Sequence, residues 1–160
     1  MNFDTWVADL TQRGMTVLPP SHAVPVELHV ILPDGRGLHF RCRGTTVTLR
    51  LFAVADTRVA VPVAVSAPTE FPVVPEVLLP VAEGVDQARM RGAVFRLVFP
   101  NDARPQSVDS IDGRTRFGWS AYEAGLLSVE EAAPLFDELL TRLGLDDLAR
   151  PAARSFIEAA

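Results

Sequence analysis

Lysine is absent from this 160-residue chain, whose fifteen basic residues are all arginine. A Schiff-base lysine, a lysine general base and a phosphate-loop lysine are therefore excluded. Cysteine occurs once, at Cys42, which rules out an internal disulfide and any multi-thiolate zinc or iron–sulfur centre. Long apolar runs are also missing. The stretch VAVPVAV at 59–65 is far shorter than the roughly 20 residues that cross a bilayer. The opening MNFDTWVADL has no basic stretch and carries Asp4 and Asp9, so it does not read as a secretory signal. Isoleucine is scarce and Ala and Val abundant, a bias typical of GC-rich bacterial coding sequence. These absences lead us to expect a cytoplasmic bacterial protein with no membrane contact.

What remains is an ordinary folded composition, 48% hydrophobic with a net charge of −5, enough to bury a core without cross-links. No repeat, low-complexity tract or linker divides it, and one domain is expected over 1–160. The expected plan is a helix over 1–14, an antiparallel sheet over 25–99, an irregular loop over 100–118 and a helical part over 119–160. Phe3, Trp6, Val7 and Leu10 fall at i, i+3, i+4 and i+7, one face of a helix, with Asn2 as N-cap and Gly14 as stop. Proline dominates the connector that follows, at Pro19, Pro20 and Pro25.

From Val26 the period becomes 2. Val26, Leu28, Val30 and Leu32 alternate with Glu27, His29 and Ile31; Leu38, Phe40 and Cys42 with His39, Arg41 and Arg43. Val47, Leu49 and Leu51 alternate with Thr46, Thr48 and Arg50, and a fourth run carries Val59, Val61, Val63 and Val65. Pro62 marks that fourth strand as an edge or a bulge. Glu76–Leu79 and Ala93–Phe99 read as further strands, and Val81–Arg91 as a helical turn ending at Gly92. Ser128 and Glu131 form a capping box, Leu135, Phe136, Leu139, Leu140 and Leu143 a buried stripe, and Pro134 predicts a kink or two short helices. Asp146 or Asp147 is a cap for a tail helix. The fold class is α+β: an N-terminal helix, an antiparallel meander of about five to six strands, and two to three C-terminal helices packed on one sheet face.

The string Pro68-Thr69-Glu70-Phe71-Pro72-Val73-Val74-Pro75-Glu76-Val77 is similar to the proline-rich segment of the ubiquitin-conjugating-enzyme superfamily, where a Pro-x-x-Tyr-Pro-x-x-Pro run follows a meander and precedes a strand. The resemblance implies a non-catalytic variant that binds protein partners. The chain departs from the pattern in lacking the downstream cysteine, in carrying an extra strand before the run, and in placing about twenty residues before Phe99-Pro100-Asn101. It covers about ten residues and assigns no family.

Strand parity places Arg41, Arg43, Arg50 and Arg58 with His29 and His39 on the face opposite the aliphatic stripes. One reading is a basic face for an acidic partner; the other is a solvated face partly covered by the protein's own acidic C-terminal helices, since residues 119–160 hold three Arg and eight Asp/Glu. Nucleic acid is disfavoured by a pI near 5.1 and by the lack of interleaved aromatics, only Phe52 sharing that face. A loop over 33–37 sets His29 diagonal to His39, about 7–8 Å apart. With Glu27 as the one nearby carboxylate, no metal site and no cofactor is expected. Cys42 lies on the apolar side, Gly118-Trp119-Ser120-Ala121-Tyr122 lacks the second glycine of a nucleophile elbow, and HExxH, GxGxxG and EF-hand patterns are absent. No catalytic residue is assigned.

The segment DSIDGRTRFGWSAY over 109–122 stands out, with Asp112, Arg114, Arg116, Phe117, Trp119 and Tyr122. Arg, Trp and Tyr are enriched at interface hot spots because each joins a large contact area to a polar tip. The alternative is that the aromatics wedge the C-terminal helices onto the sheet while the arginines pair with Asp109 and Asp112. The sequence thus points to a protein-binding module, such as an adaptor, chaperone, immunity factor or assembly subunit, whose partner is another protein or a second copy. The alternative function is a small-molecule-binding or catalytic domain with a pocket between sheet and helices.

Overall fold

The computed structural model describes residues 1–63 and 75–149. The chain opens with α1 (Phe3–Gln12), capped by Asn2, whose side-chain oxygen accepts from the Thr5 backbone N–H at 2.9 Å. Five strands follow one another into a fully antiparallel sheet: β1 (Thr16–Ala23), β2 (Val26–Ile31), β3 (Gly37–Arg43), β4 (Thr46–Phe52) and, much later, β8 (Ser107–Asp112), in the order β1-β2-β3-β4-β8. A second sheet, ordered β6-β5-β7, joins β5 (Arg58–Pro62), β6 (Glu76–Pro80) and β7 (Arg96–Val98), with α2 (Val81–Arg91) packed on it. The short α3 (Gly113–Phe117) and the longer α4 (Val129–Arg142) complete an α+β fold.

The aliphatic stripes do what their period requires. Val26, Leu28, Val30, Leu38, Phe40, Cys42, Val47, Leu49, Leu51 and Ile111 lie on one face of the large sheet and are buried against Trp6 and Leu10 of α1 and Phe136, Leu139 and Leu140 of α4. Ser128 and Glu131 form the expected capping box at the start of α4. Arg13 at the end of α1 bridges Asp9 of its own helix and Asp137 of α4, tying the two helices together.

Several expectations are overturned. The proline-rich connector is itself a strand: β1 tolerates Pro19 and Pro20 because it is an edge strand and a bulge falls between Leu18 and His22, where the Ser21 hydroxyl accepts from the His29 N–H at 2.8 Å. The fourth valine run does not continue the meander but leaves to form β5 of the second sheet, so Arg58 is not on the face that carries Arg41 and Arg50. That face is covered in part by the second sheet, with Leu18 and Ile31 joining Val59, Val61, Ala88 and Leu97 in a second core, and not by the acidic C-terminal helices. The loop expected over 100–118 contains β8 and α3. Its one fully core-facing apolar side chain, Ile111, leaves an edge strand with no legible alternation. The turn at 81–91 is a full helix ending at Gly92, which adopts φ +63°. Pro134 neither ends nor splits α4: the bond it forgoes is to the carbonyl of solvent-exposed Glu130, where water substitutes. The expected strand residue Val65, most of the Pro68–Val77 run and the tail beyond residue 149 lie outside the described residues. Among those described, no helix is long and apolar enough to cross a membrane.

Cys42 is fully buried, and burial pushes its thiol up to about 12. We expect the native chain to stay unreactive toward a chromogenic disulfide at pH 8, whereas the urea-unfolded chain reacts at once, because the thiolate is the nucleophile. Full labelling of the folded chain within minutes would show that β3 opens on its own.

Candidate functional site

The turn between β2 and β3 decides the geometry of the other sheet face. It spans 32–36, closed by hydrogen bonds from Leu32 N to Arg36 O and from Gly35 N to Leu32 O, both 2.9 Å. Gly35 supplies the φ of +89°, and Asp34 accepts from the Arg36 N–H at 3.0 Å. The resulting register sets His29 directly opposite His39 and not diagonal to it. Their rings lie 4.6 Å apart, tilted by 32°. Next along β2, Glu27 reaches between them: its Oε1 is 2.7 Å from His39 Nε2 and 3.9 Å from His29 Nε2. Bulged β1 places His22 opposite Glu27, with His22 Nε2 3.3 Å from the other carboxylate oxygen. All three histidines of the chain therefore converge on one carboxylate.

Phe99, just after β7, roofs this cluster. Its ring stacks on Phe52 at 3.9 Å and lies 6.3 Å from each of His29 and His39. Gly37 makes room for it, since a Cβ there would come within 2.5 Å of the Phe99 ring. Burial pushes His29 down to about 4. His39 is also lowered, by burial and by the nearby Arg50 and Arg41, against the pull of Glu27. Both imidazoles are thus neutral near pH 7. Burial alone would raise the Glu27 carboxyl, but the hydrogen bond from His39 holds it below its ordinary value. The His29 ring, 9% exposed, has a buried Nδ1 with no hydrogen-bond partner.

Further along the same face the cover ends. Arg41 and Arg43 of β3 and Arg50 of β4 line a hollow of about 160 Å³ with His39, Thr46 and Thr48. Among the described residues none of these three arginines has a carboxylate within ion-pair distance, in contrast to Arg13, Arg36, Arg96, Arg116 and Arg142. Guanidinium groups held side by side by a strand ladder form a fork-shaped donor array suited to carboxylate or phosphate oxygens.

The segment over 109–122 is largely occupied with its own structure. Asp112 is the N-cap of α3, accepting from Arg114 N and Thr115 Oγ1 at 3.0 Å each. Arg116 grips both oxygens of Glu138 at 2.7 and 2.8 Å, so its partner is on α4 and not the expected Asp109 or Asp112. Trp119 is half-buried and packs on the main core, its ring 4.9 Å from Phe117. Glu123 accepts from the backbone N–H groups of Ala121 and Ser120, which drop its carboxyl to about 2 and brace the loop before α4. Arg114, Phe117 and Tyr122 remain exposed, Tyr122 at 76%. A groove of about 370 Å³ runs between this segment and α4, lined by Arg116, Phe117, Trp119, Leu127, Glu131 and Leu135.

No protein-family model, no curated protein and no solved structure matches this chain.

Sequence reasoning placed His29, His39, Arg41, Arg43 and Arg50 on one face, and the structure brings them together there. Arg58 is separated from them. His22, Phe99, Thr46 and Thr48 were missed as members of the site. His22 had no signal because its strand was hidden by prolines, and Phe99 reaches the site from another sheet. The threonines were legible by parity, on the same side as Arg50.

Proposed function

We propose that this chain is a protein-binding module that receives an acidic segment of a partner protein on its Arg41, Arg43 and Arg50 face. The observation that carries this reading is that three arginines around one hollow have no carboxylate within ion-pair distance among the described residues, whereas Arg13, Arg36, Arg96, Arg116 and Arg142 each pair with a carboxylate. Charge-assisted contacts from such an array favour carboxylate side chains, with Thr46 and Thr48 hydroxyls as flanking donors. Nucleic acid fits less well. The aromatic on this face, Phe52, is already stacked under Phe99 at 3.9 Å and offers no platform for a base.

The test is fluorescence anisotropy with a labelled Asp/Glu-rich peptide and, in parallel, a labelled DNA duplex. We expect the peptide to bind, to weaken with added salt, and to lose at least about 10-fold in affinity in the R41Q/R50Q double variant, because each hydrogen bond to a charged group is worth about 1.5–3 kcal/mol. The melting temperature should hardly move, as Arg50 is exposed, Arg41 half-buried and neither is ion-paired among the described residues, and such side chains contribute little to stability. Peptide binding that survives R41Q/R50Q but is lost in Phe117→Ser would move the site to the aromatic groove against α4. Tighter binding of the duplex would overturn the protein-partner reading.

A further inference from the structure

The histidine cluster is not explained by recognition of an acidic segment, because Glu27 at its centre would repel one. We propose that Glu27, His29 and His39 form a binding site for a divalent first-row metal ion of the zinc class, with His22 beside it on the second oxygen of the same carboxylate.

The donor atoms of Glu27, His29 and His39 all lie within 4.8 Å of one another. Metal–ligand bonds of about 2.0–2.2 Å in tetrahedral geometry put neighbouring donors about 3.3 Å apart. The separations from Glu27 Oε1, 2.7 Å to His39 and 3.9 Å to His29, bracket that spacing. The residues come from β1, β2 and β3 on one sheet face, so the ladder holds them and little reorganisation is needed.

Hydrogen bonding alone accounts for only part of the cluster. His39 donates to Glu27 at 2.7 Å and is satisfied. His29 is not: its Nδ1 is buried without a partner, and its Nε2 stands beyond hydrogen-bond reach of Glu27. His22 Nδ1 faces the Pro25 carbonyl at 2.6 Å, which fixes the ring with its Nε2 beside the second carboxylate oxygen. A cation among these groups takes the Nε2 lone pairs of His29 and His39 and draws the carboxylate away from His22. Burial keeps His29 and His39 neutral, the form that ligates. Imidazole and carboxylate donors suit zinc and its neighbours and exclude the thiolate-seeking ions. Three protein donors leave a coordination position free for water or an anion.

The test uses the full chain, stripped with a chelator and titrated with Zn²⁺ and, separately, Co²⁺. We expect one ion per chain, a rise in melting temperature on adding Zn²⁺, and a visible Co²⁺ spectrum of low-coordinate type. In Glu27→Gln, a near-isosteric change at a residue whose side chain is 22% exposed, affinity should fall by more than about 100-fold, beyond the effect of losing an outer hydrogen-bond partner. The spectrum should vanish while the far-UV circular dichroism stays unchanged. His39→Gln serves as the second variant should Glu27→Gln fail to fold. Absence of stoichiometric uptake by the folded wild type, a six-coordinate aquo-type Co²⁺ spectrum, or full uptake by both variants would each overturn the assignment. These readouts need no partner peptide, so they fail independently of the binding function proposed above.

Discussion

Trp6→Ala is expected to cost about 3–5 kcal/mol, a large part of the roughly 5–15 kcal/mol by which a domain of this size is stable. Trp6 is 0% exposed and meets two other fully buried rings edge-on, Phe40 of β3 at 6.2 Å and Phe136 of α4 at 5.7 Å. Phe40 and Phe136 also contact each other, at 5.1 Å and 77°. The trio joins α1, the sheet and α4 at a single point, so removing one ring strips contacts from three elements and leaves a cavity that none of them can fill alone. The indole Nε1 is buried without a partner. Trp6→Phe should therefore keep most of the packing, drop an unsatisfied N–H and cost less than half as much as the alanine variant. Urea denaturation with an unchanged slope measures both. A loss below about 1 kcal/mol for Trp6→Ala would show that α1 is not part of the cooperative core.

Gly113→Ala is the other substitution with a large effect. A Cβ at residue 113 would lie 1.8 Å from Trp119 Cε3 and 2.5 Å from Cδ2 and Cζ3, too close for any rotamer adjustment of the added methyl. The backbone there is not free to yield. Gly113 N donates to Thr45 O at 2.8 Å, holding the end of β8 against the β3–β4 turn, and Gly113 O accepts from Trp119 N at 3.1 Å. The indole must leave instead, uncovering the part of the main core it packs on. We expect a loss of about 1–3 kcal/mol or more together with a red shift of tryptophan emission. Because Trp6 stays buried, the shift reports Trp119. Adding Trp119→Ala to Gly113→Ala should cost less than the sum of the two single changes, since the clash vanishes with the ring. Additive costs would mean that glycine and indole are not in contact. The same packing bears on 109–122: Trp119 serves the fold, and the residues of this segment left to meet a partner are Arg114, Phe117 and Tyr122.

The core face was legible because its signal is local. Period-2 apolar residues from Val26 to Leu51 and the i, i+3, i+4, i+7 pattern of α1 specify side-chain direction within a few residues, and the capping box at Ser128 marks a helix start by chemistry alone. Parity likewise placed His29 and His39 on one face whatever the turn did. Their contact depended on a shift of the turn from 33–37 to 32–36, set by hydrogen bonds and a left-handed Gly35 that no alternation pattern encodes. Pairings between distant segments were hidden for a different reason. β4 meets β8 across some fifty residues, and β8 has one core-facing apolar side chain, Ile111, to announce it. β1 was masked by prolines that only an edge position with a bulge permits.

By itself, then, the order of residues determined which chemistries are barred to this protein, which side chains avoid water, and which charged and imidazole groups share the opposite surface. Tertiary structure alone decided that the second valine-rich sheet and Phe99 would cover His29 and His39 and leave the hollow lined by Arg41, Arg43 and Arg50 open, and that His22 would meet Glu27. The reason is physical: alternation sets the direction of a side chain relative to its own strand, whereas burial and distance depend on what packs above that strand, and this comes from segments tens of residues away.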